Sequence, residues 1–453
     1  MEDIETKDDL FRVICNASLL DNLGLFIGAG FTKSVIEKSG GIAYNWAELL
    51  EKCCEVMKVN ADILKSTGSY PQIATMICKQ YSIDEKIPYT ESVKKLKGTI
   101  ANITDVTPSK DIRNDYSVFF NTLNINWIAT TNYDMLLEDI LCGKSLTISP
   151  ESCFINVHNM VPIYHIHGIR NQPESIVITN EDYTYLFRPN DYRQARLPFL
   201  MKESLVVMIG YGLGDINVAT AVDWSNNVFT NENKDYSFPI VQILWKETPN
   251  DTPYKDDSGI IIFEVCDIFN FFQELCDYYD KYKLEYDNTI LNINSYIEKF
   301  NEASSETINK YITNEEDYRK KVINFISSLG QEFGYVYISY LSFLRAVMNK
   351  LNQNALPNGA FSAYNDKLNV LLDIIITEPV GKMPISFLKF LADSLDSVAY
   401  YVGDKLGQSF ESNATWNSRK GDIPQDTITA LLDIIHASKS YRYINLKHIL
   451  NQI

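Results

Sequence analysis

The chain has 453 residues, of which 45% are hydrophobic and 22% charged, a balance that excludes a disordered chain and predicts two folded domains. A formal net charge of −17 excludes a general nucleic-acid binder, because affinity for phosphate backbones comes mainly from Lys and Arg displacing counterions. No run reaches the roughly 18 uninterrupted apolar residues of a membrane helix, and the acidic opening lacks the basic and apolar regions of a signal peptide, so the expectation is a cytoplasmic protein with no membrane partner.

From the N-terminus, short buried-type apolar runs recur at Leu23–Gly28, Trp127–Thr130, Ile163–His167, Ser175–Thr179, Leu205–Gly210, Ile240–Trp245 and Ile260–Phe263. Continuous apolarity is what strands covered on both faces require, and helical patterns between them predict a mainly parallel sheet. The segment from about 47 to 120 is mixed and polar with helical spacing, as in Trp46–Cys53, and is expected as a helical lobe inserted over the C-terminal edge of the sheet, where ligands of open α/β folds bind. Beyond about Tyr286 the strand signals fade. Tyr337–Met348, Pro384–Leu391 and Thr427–Ile435 carry helical periodicity, so residues 1–285 are expected as an α/β domain and 286–453 as an all-α one. Cys276–Lys283 reads as a connecting helix and Gln353–Gly359 as a surface loop. The cysteines at 15, 53, 54, 78, 142, 153, 266 and 276 fit neither a disulfide framework nor paired zinc ligands, and free buried thiols are expected.

Residue types that could carry chemistry gather at predicted strand ends. Gly28-Ala29-Gly30 follows the first run and opens a helix, a turn in which phosphate could approach helix amides, although Lys33 stands where the dinucleotide fingerprint wants a third glycine. A tight turn without ligand explains the same letters. Gly210-Tyr-Gly212 closes another run, with Leu213-Gly-Asp215 after it, so parallel strands would put both glycine turns on one edge. Thr130-Thr131-Asn132-Tyr133-Asp134 offers hydroxyl, amide and carboxylate groups that could hold a sugar or cap the next helix. His167, before Gly168 at the end of a run, can take a proton near neutral pH. His165 shares its face by strand alternation, but no third metal ligand lies nearby, and a packed structural role suits it better than a metal site.

In order, Gly28-Ala-Gly-Phe-Thr32, Thr131-Asn-Tyr-Asp134, His167-Gly168 and Gly210-Tyr-Gly-Leu213 resemble the motif series of the sirtuin superfamily, over about Leu23 to Val265. No metal is expected, since the residues themselves offer no ligand set; the resemblance implies a Rossmann-like mainly parallel sheet and NAD as the substrate. It puts the NAD diphosphate on Gly28, Ala29, Gly30 and Thr32, the nicotinamide ribose on Asn132 beside Thr131, and the carboxamide on Asp134. It also makes His167 the base and gives the adenosine half to Gly210, Gly212 and Leu213. Departures bear on activity: Lys33–Gly41 replaces the usual Gly-Ile-Pro-Asp-Phe-Arg stretch, Thr131 replaces Gln, and no four-cysteine module follows His167. The pattern, with Asn45-Trp46-Ala-Glu-Leu-Leu50, is similar to the bacterial sirtuin-like proteins of antiphage defence, which hydrolyse NAD outright. That likeness implies an NAD glycohydrolase of abortive infection using Asn132 and His167. The helical domain would then control it or assemble a homo-oligomer, with a phage protein or partner ATPase as activator. The competing readings are an NAD-dependent protein deacylase and a non-catalytic NAD or ADP-ribose sensor.

Overall fold

The computed structural model describes residues 4–65, 68–149, 159–186, 199–212, 238–355, 361–438 and 442–452. The chain divides into two compact units, Met1–Glu285 and Tyr286–Ile453.

The first unit is built on one eight-stranded sheet of order β3-β4-β2-β1-β5-β6-β8-β7. The strands are β1 (Leu23–Ile27), β2 (Ile125–Thr130), β3 (Ser145–Ile148), β4 (Val161–His165), β5 (Leu205–Ile209), β6 (Ile240–Trp245), β7 (Tyr254–Lys255) and β8 (Ile261–Val265). All neighbours pair in parallel except β7 with β8. Alternation along the strands feeds two cores, which is why the runs are continuously apolar. Leu25, Ile128, Val207 and Ile243 face one side with Phe31, Phe120 and Phe272 from helices, whereas Phe26, Trp127, Met208 and Ile262 face the other.

Helices α1 (Lys7–Leu19) and α2 (Ala29–Lys38) flank β1 in the chain, and α3 (Trp46–Met57), α4 (Tyr70–Asp84), α5 (Tyr89–Ile103) and α6 (Lys110–Thr122) precede β2. Only α3 to α5 form the lobe. Their apolar faces close a separate core of Leu50, Cys53, Ile77, Leu96 and Ile100, while Tyr116 and Phe120 of α6 pack into the sheet's core. The expected insertion to about 120 is thus shorter as a lobe, because the last helix spends its aromatic stripe on the sheet.

Two further differences from the sequence reading concern strands. Ser175–Thr179 is not one: Pro173–Ser175 is a 3-10 turn, and Ile176 and Ile178 point into the lobe core, so their alternation serves a helical neighbour rather than a ladder. β3 and β7 lie at the sheet's two edges, half-buried or exposed, without the apolar run that reveals a central strand.

The long helix Ile268–Glu302 begins in the first unit. The second unit is helical throughout its described residues, with Val336–Ala355, Phe361–Thr377 and Ile385–Ala399 among its main helices. Tyr340, Phe343, Leu371, Phe387 and Leu391 are fully buried in its core. Arg319 is fixed inside by Asp373 at 2.7 Å and by the carbonyls of Tyr311 and Ile312. Within the loop expected at Gln353–Gly359, residues to 355 still belong to a helix and the rest lies outside the described residues. No described helix is long and apolar enough to cross a membrane.

Candidate functional site

Register brings the chemistry to one edge. Ile27 pairs with Thr130 and with Ile209, and Thr130 pairs with His165, so the turns that follow β1, β2, β4 and β5 leave the sheet at one level. The chain builds β2 and β4 on one side of β1 and then crosses to β5 on the other. This reversal leaves a crevice at the strand ends, the usual ligand position in an open parallel sheet.

The two glycine turns are packed on each other. Gly30 N–H donates to the Gly210 carbonyl at 3.0 Å, and Gly28 N–H donates to Ile209 at 2.8 Å. Gly210 has φ +85°, and a Cβ there would stand 2.4 Å from the Phe31 nitrogen, so only glycine fits. Gly28 and Gly30, expected where phosphate approaches, and Gly210, expected at the adenosine half, thus also hold the two loops close together, and the Gly30 amide is already used. Gly212 is different, since a Cβ there would meet nothing within 4 Å among the described residues. Ala29 lines the cleft on the β2 side of this turn. Leu213 lies outside the described residues.

Beyond β2 the polar side chains form a directed chain. Thr32 Oγ donates to Asp134 Oδ2 at 3.0 Å, and Asn132 Nδ2 donates to Thr32 Oγ at 3.0 Å. Thr32 has one hydroxyl proton and spends it on the carboxylate, so Asn132 must present its NH2 and its amide orientation is set. Asp134 Oδ1 accepts the Leu136 amide at 3.1 Å, in the turn that leads into α7 (Leu136–Leu141). Burial raises the Asp134 pKa, against these hydrogen bonds. Thr131 donates to the Tyr211 hydroxyl, which donates to the Ile27 carbonyl, tying the β2 and β5 turns together. Tyr211 stands between the glycines of the Gly210-Tyr-Gly212 motif, but nothing in the sequence assigns it this tie.

The two histidines part company. His165 lies between acceptors, the Asn132 carbonyl at 3.2 Å and Glu138 Oε1 at 2.9 Å, so it secures the Asn132 turn. Glu138 would be raised by burial, but the His165 hydrogen bond and charge bring its pKa below the ordinary value. His167 is 3% exposed, and its Nδ1 is buried without a hydrogen-bond partner among the described residues. Its ring meets Trp46 edge-on at 6.4 Å and Tyr183 at 5.4 Å. Burial alone lowers its pKa to about 4, so the imidazole is neutral at pH 7. Gly168 at φ +89° turns the chain where a Cβ would strike the Ser175 carbonyl at 2.2 Å, and the Val177 amide closes that turn on His167.

Two openings adjoin these residues. A small cleft of about 40 Å³ is lined by Thr32, Asn132 and Asp134 on the sheet side and by Tyr44, Trp46 and Ile103 on the lobe side. A groove of about 690 Å³ lies at the ends of β5 and β6, lined by Gly30, Lys33, Gly212, Leu244 and Trp245 among others. Among the described residues no cluster of His, Cys, Asp or Glu is placed to hold a metal ion. The described cysteines, with Cys53, Cys54 and Cys78 buried in the lobe, are free thiols, and Cys153 lies outside the described residues.

A doubly covered parallel sheet, with glycine turns and polar side chains collected at a reversal of strand order, is the arrangement on which open α/β folds bind nucleotides. Residues 126–257 match the family model of the SIR2-like domain. The first unit thus carries a sirtuin-like domain, and SIR2-like domains use NAD. The matched stretch includes Asn132, Asp134, His167 and Gly210, while the β1 turn precedes it. No curated relative matches the chain.

The residues leave room and polar partners for the NAD that SIR2-like domains use. The orphaned Nδ1 of His167 lacks a partner that a ligand could supply, Asn132 borders a cleft with its amide already oriented, and Gly212 leaves open space beside the larger groove.

Proposed function

We propose that this protein is an NAD glycohydrolase that breaks the nicotinamide–ribose bond with water. The observation that carries the reading is the meeting, on one sheet edge, of an oriented Asn132 and a neutral buried His167. Nicotinamide leaves readily because its ring nitrogen is positively charged in NAD, so the site need only hold the ribose, stabilise the oxocarbenium-like state and admit water. Asn132 orients the ribose or the water. His167 accepts the proton directly or through a ribose hydroxyl, for which its imidazole must be unprotonated. Gly210, Gly212 and Trp245 line the groove that takes the adenosine half.

Hydrolysis is preferred to protein deacylation because only Cys266 and Cys276 follow His167, too few for the four-cysteine module that supports an acyl-lysine channel. The small cleft and the covered His167 imply a resting enzyme whose lobe must open, as an effector of antiphage defence requires. In that reading the helical unit is the control or assembly surface of a homo-oligomer in the cytoplasm, activated by a phage protein or a partner ATPase. The same closure favours one alternative, an NAD sensor that binds without turnover.

Nicotinamide release from NAD by the purified protein, with and without an acetyl-lysine peptide, separates these readings. Peptide-independent release, lost in Asn132→Ala and in His167→Ala, is the expected result. Turnover only with peptide would overturn hydrolysis in favour of deacylation. NAD binding without turnover, persisting with the candidate activators added, would favour the sensor.

A further inference from the structure

Lys33 stands on the second turn of α2, on the wall of the larger groove. Its ammonium lies 2.6 Å from Glu48 Oε1 and 3.8 Å from Glu37. Glu48 has a second duty: its Oε2 accepts the Asn45 amide at 2.8 Å and closes the capping box that starts α3. The Lys33–Glu48 pair therefore joins α2, the helix that follows β1, to the first helix of the lobe. Trp46, the residue that opens α3, is the ring that meets His167.

The other lysine on the groove wall is committed elsewhere. Lys38 reaches Asp267 at 3.1 Å and lies over the Phe269 ring at 4.2 Å. The Lys38–Asp267 pair is open, at 33% and 31%, but has the Phe269 ring in addition. Lys33, 30% exposed, is held as openly by a carboxylate 38% exposed. Such a pair is weak and exchangeable in water. With Glu37 and Asp267 also on the wall and a chain charge of −17, a diphosphate entering this groove needs a cation that can leave its carboxylate. Lysine serves phosphate as a mobile point charge.

We propose that Lys33 is the diphosphate-recognising cation of the groove, and that binding exchanges Glu48 for phosphate and so unlatches α3, with Trp46, from the sheet. The proposal rests on the NAD reading of this site. It assigns nucleotide binding a second task, uncovering His167.

The test uses the full chain with ADP-ribose, which carries the diphosphate, and adenosine, which does not. In calorimetric titration, Lys33→Gln should weaken ADP-ribose on the order of tenfold or more and leave adenosine unchanged. Glu48→Gln keeps a residue able to close the capping box but removes the competing charge, so it should tighten ADP-ribose by about two- to fivefold. Amide exchange at Trp46–Leu49 should rise on adding ADP-ribose to the wild type, be raised without ligand in Glu48→Gln, and stay unchanged by ligand in Lys33→Gln. Equal ADP-ribose affinity in wild type and Lys33→Gln would overturn the assignment of Lys33 alone. Absence of both NAD and ADP-ribose binding in the wild type would instead remove the NAD reading and this proposal with it. Weakened binding in Lys33→Gln without any exchange response in the wild type would overturn the unlatching.

Discussion

Acid should weaken the first unit through His167. Its pKa falls from 6.5 in the unfolded chain to about 4 in the fold, because burial disfavours the imidazolium. The folded form therefore binds fewer protons than the unfolded chain between those values. Stability from this group is complete above pH 6.5 and is lost as pH falls toward 4. At about 1.36 kcal/mol per pKa unit, the whole window is worth about 3 kcal/mol. His167→Gln keeps a polar side chain that does not titrate there, so the variant should lose less stability by about that amount. Urea unfolding of both proteins at pH 7.5 and pH 4.5 isolates the effect, since every other acid-sensitive group is common to both. The His167 ring resonance, assigned by its disappearance in the variant, should not titrate above pH 5. An ordinary midpoint near 6.5, or equal acid sensitivity of the two proteins, would refute both the burial argument and the claim that the base is neutral. The same value predicts that kcat/KM for NAD shows no acid limb from this residue between pH 8 and pH 5.

Thr32→Val removes the hydroxyl linking Asn132 to Asp134 and strands a buried carboxylate oxygen. It should cost about 1–3 kcal/mol in thermal unfolding and lower kcat, with Thr32→Ser restoring both. Gly210→Ala puts a Cβ 2.4 Å from the Phe31 nitrogen at a positive φ. A fall in stability of at least about 2 kcal/mol is expected, read as a lower melting midpoint. In the helical unit, Glu378 is 1% exposed, with Oε1 unpartnered and Oε2 accepting from Tyr337 at 2.9 Å. Burial raises its pKa from 4.5 to about 7, so its contribution is present below pH 4.5 and is lost as pH rises through 7, by about 3 kcal/mol in full. Glu378→Gln should therefore unfold at higher urea than the wild type at pH 8, and by much less at pH 5.

What the sequence alone determined is local. Strands buried on both faces must be apolar at every position, so β1, β2, β5, β6 and β8 are legible as runs. Turns at Gly28, Asn132, His167 and Gly210 follow them in a spacing that resembles sirtuins, and the absence of such runs beyond Tyr286 marks the helical part. Contacts between distant segments are not legible, because no periodicity encodes which surfaces meet. Ile176 and Ile178 alternate like a strand yet fill the lobe core, and edge strands β3 and β7 carry too little buried surface to show as runs. The glycines at 28, 30 and 210 could be read as ligand-contacting positions, and the fold shows that they also pack against one another. His165 and His167 are two letters apart in one strand-like run. Only packing gave one a carboxylate and a carbonyl, and left the other neutral, unpartnered and covered by Trp46 from a helix far away in the chain. Tertiary structure decided these roles because burial and partner choice, rather than residue type, set what a histidine can do.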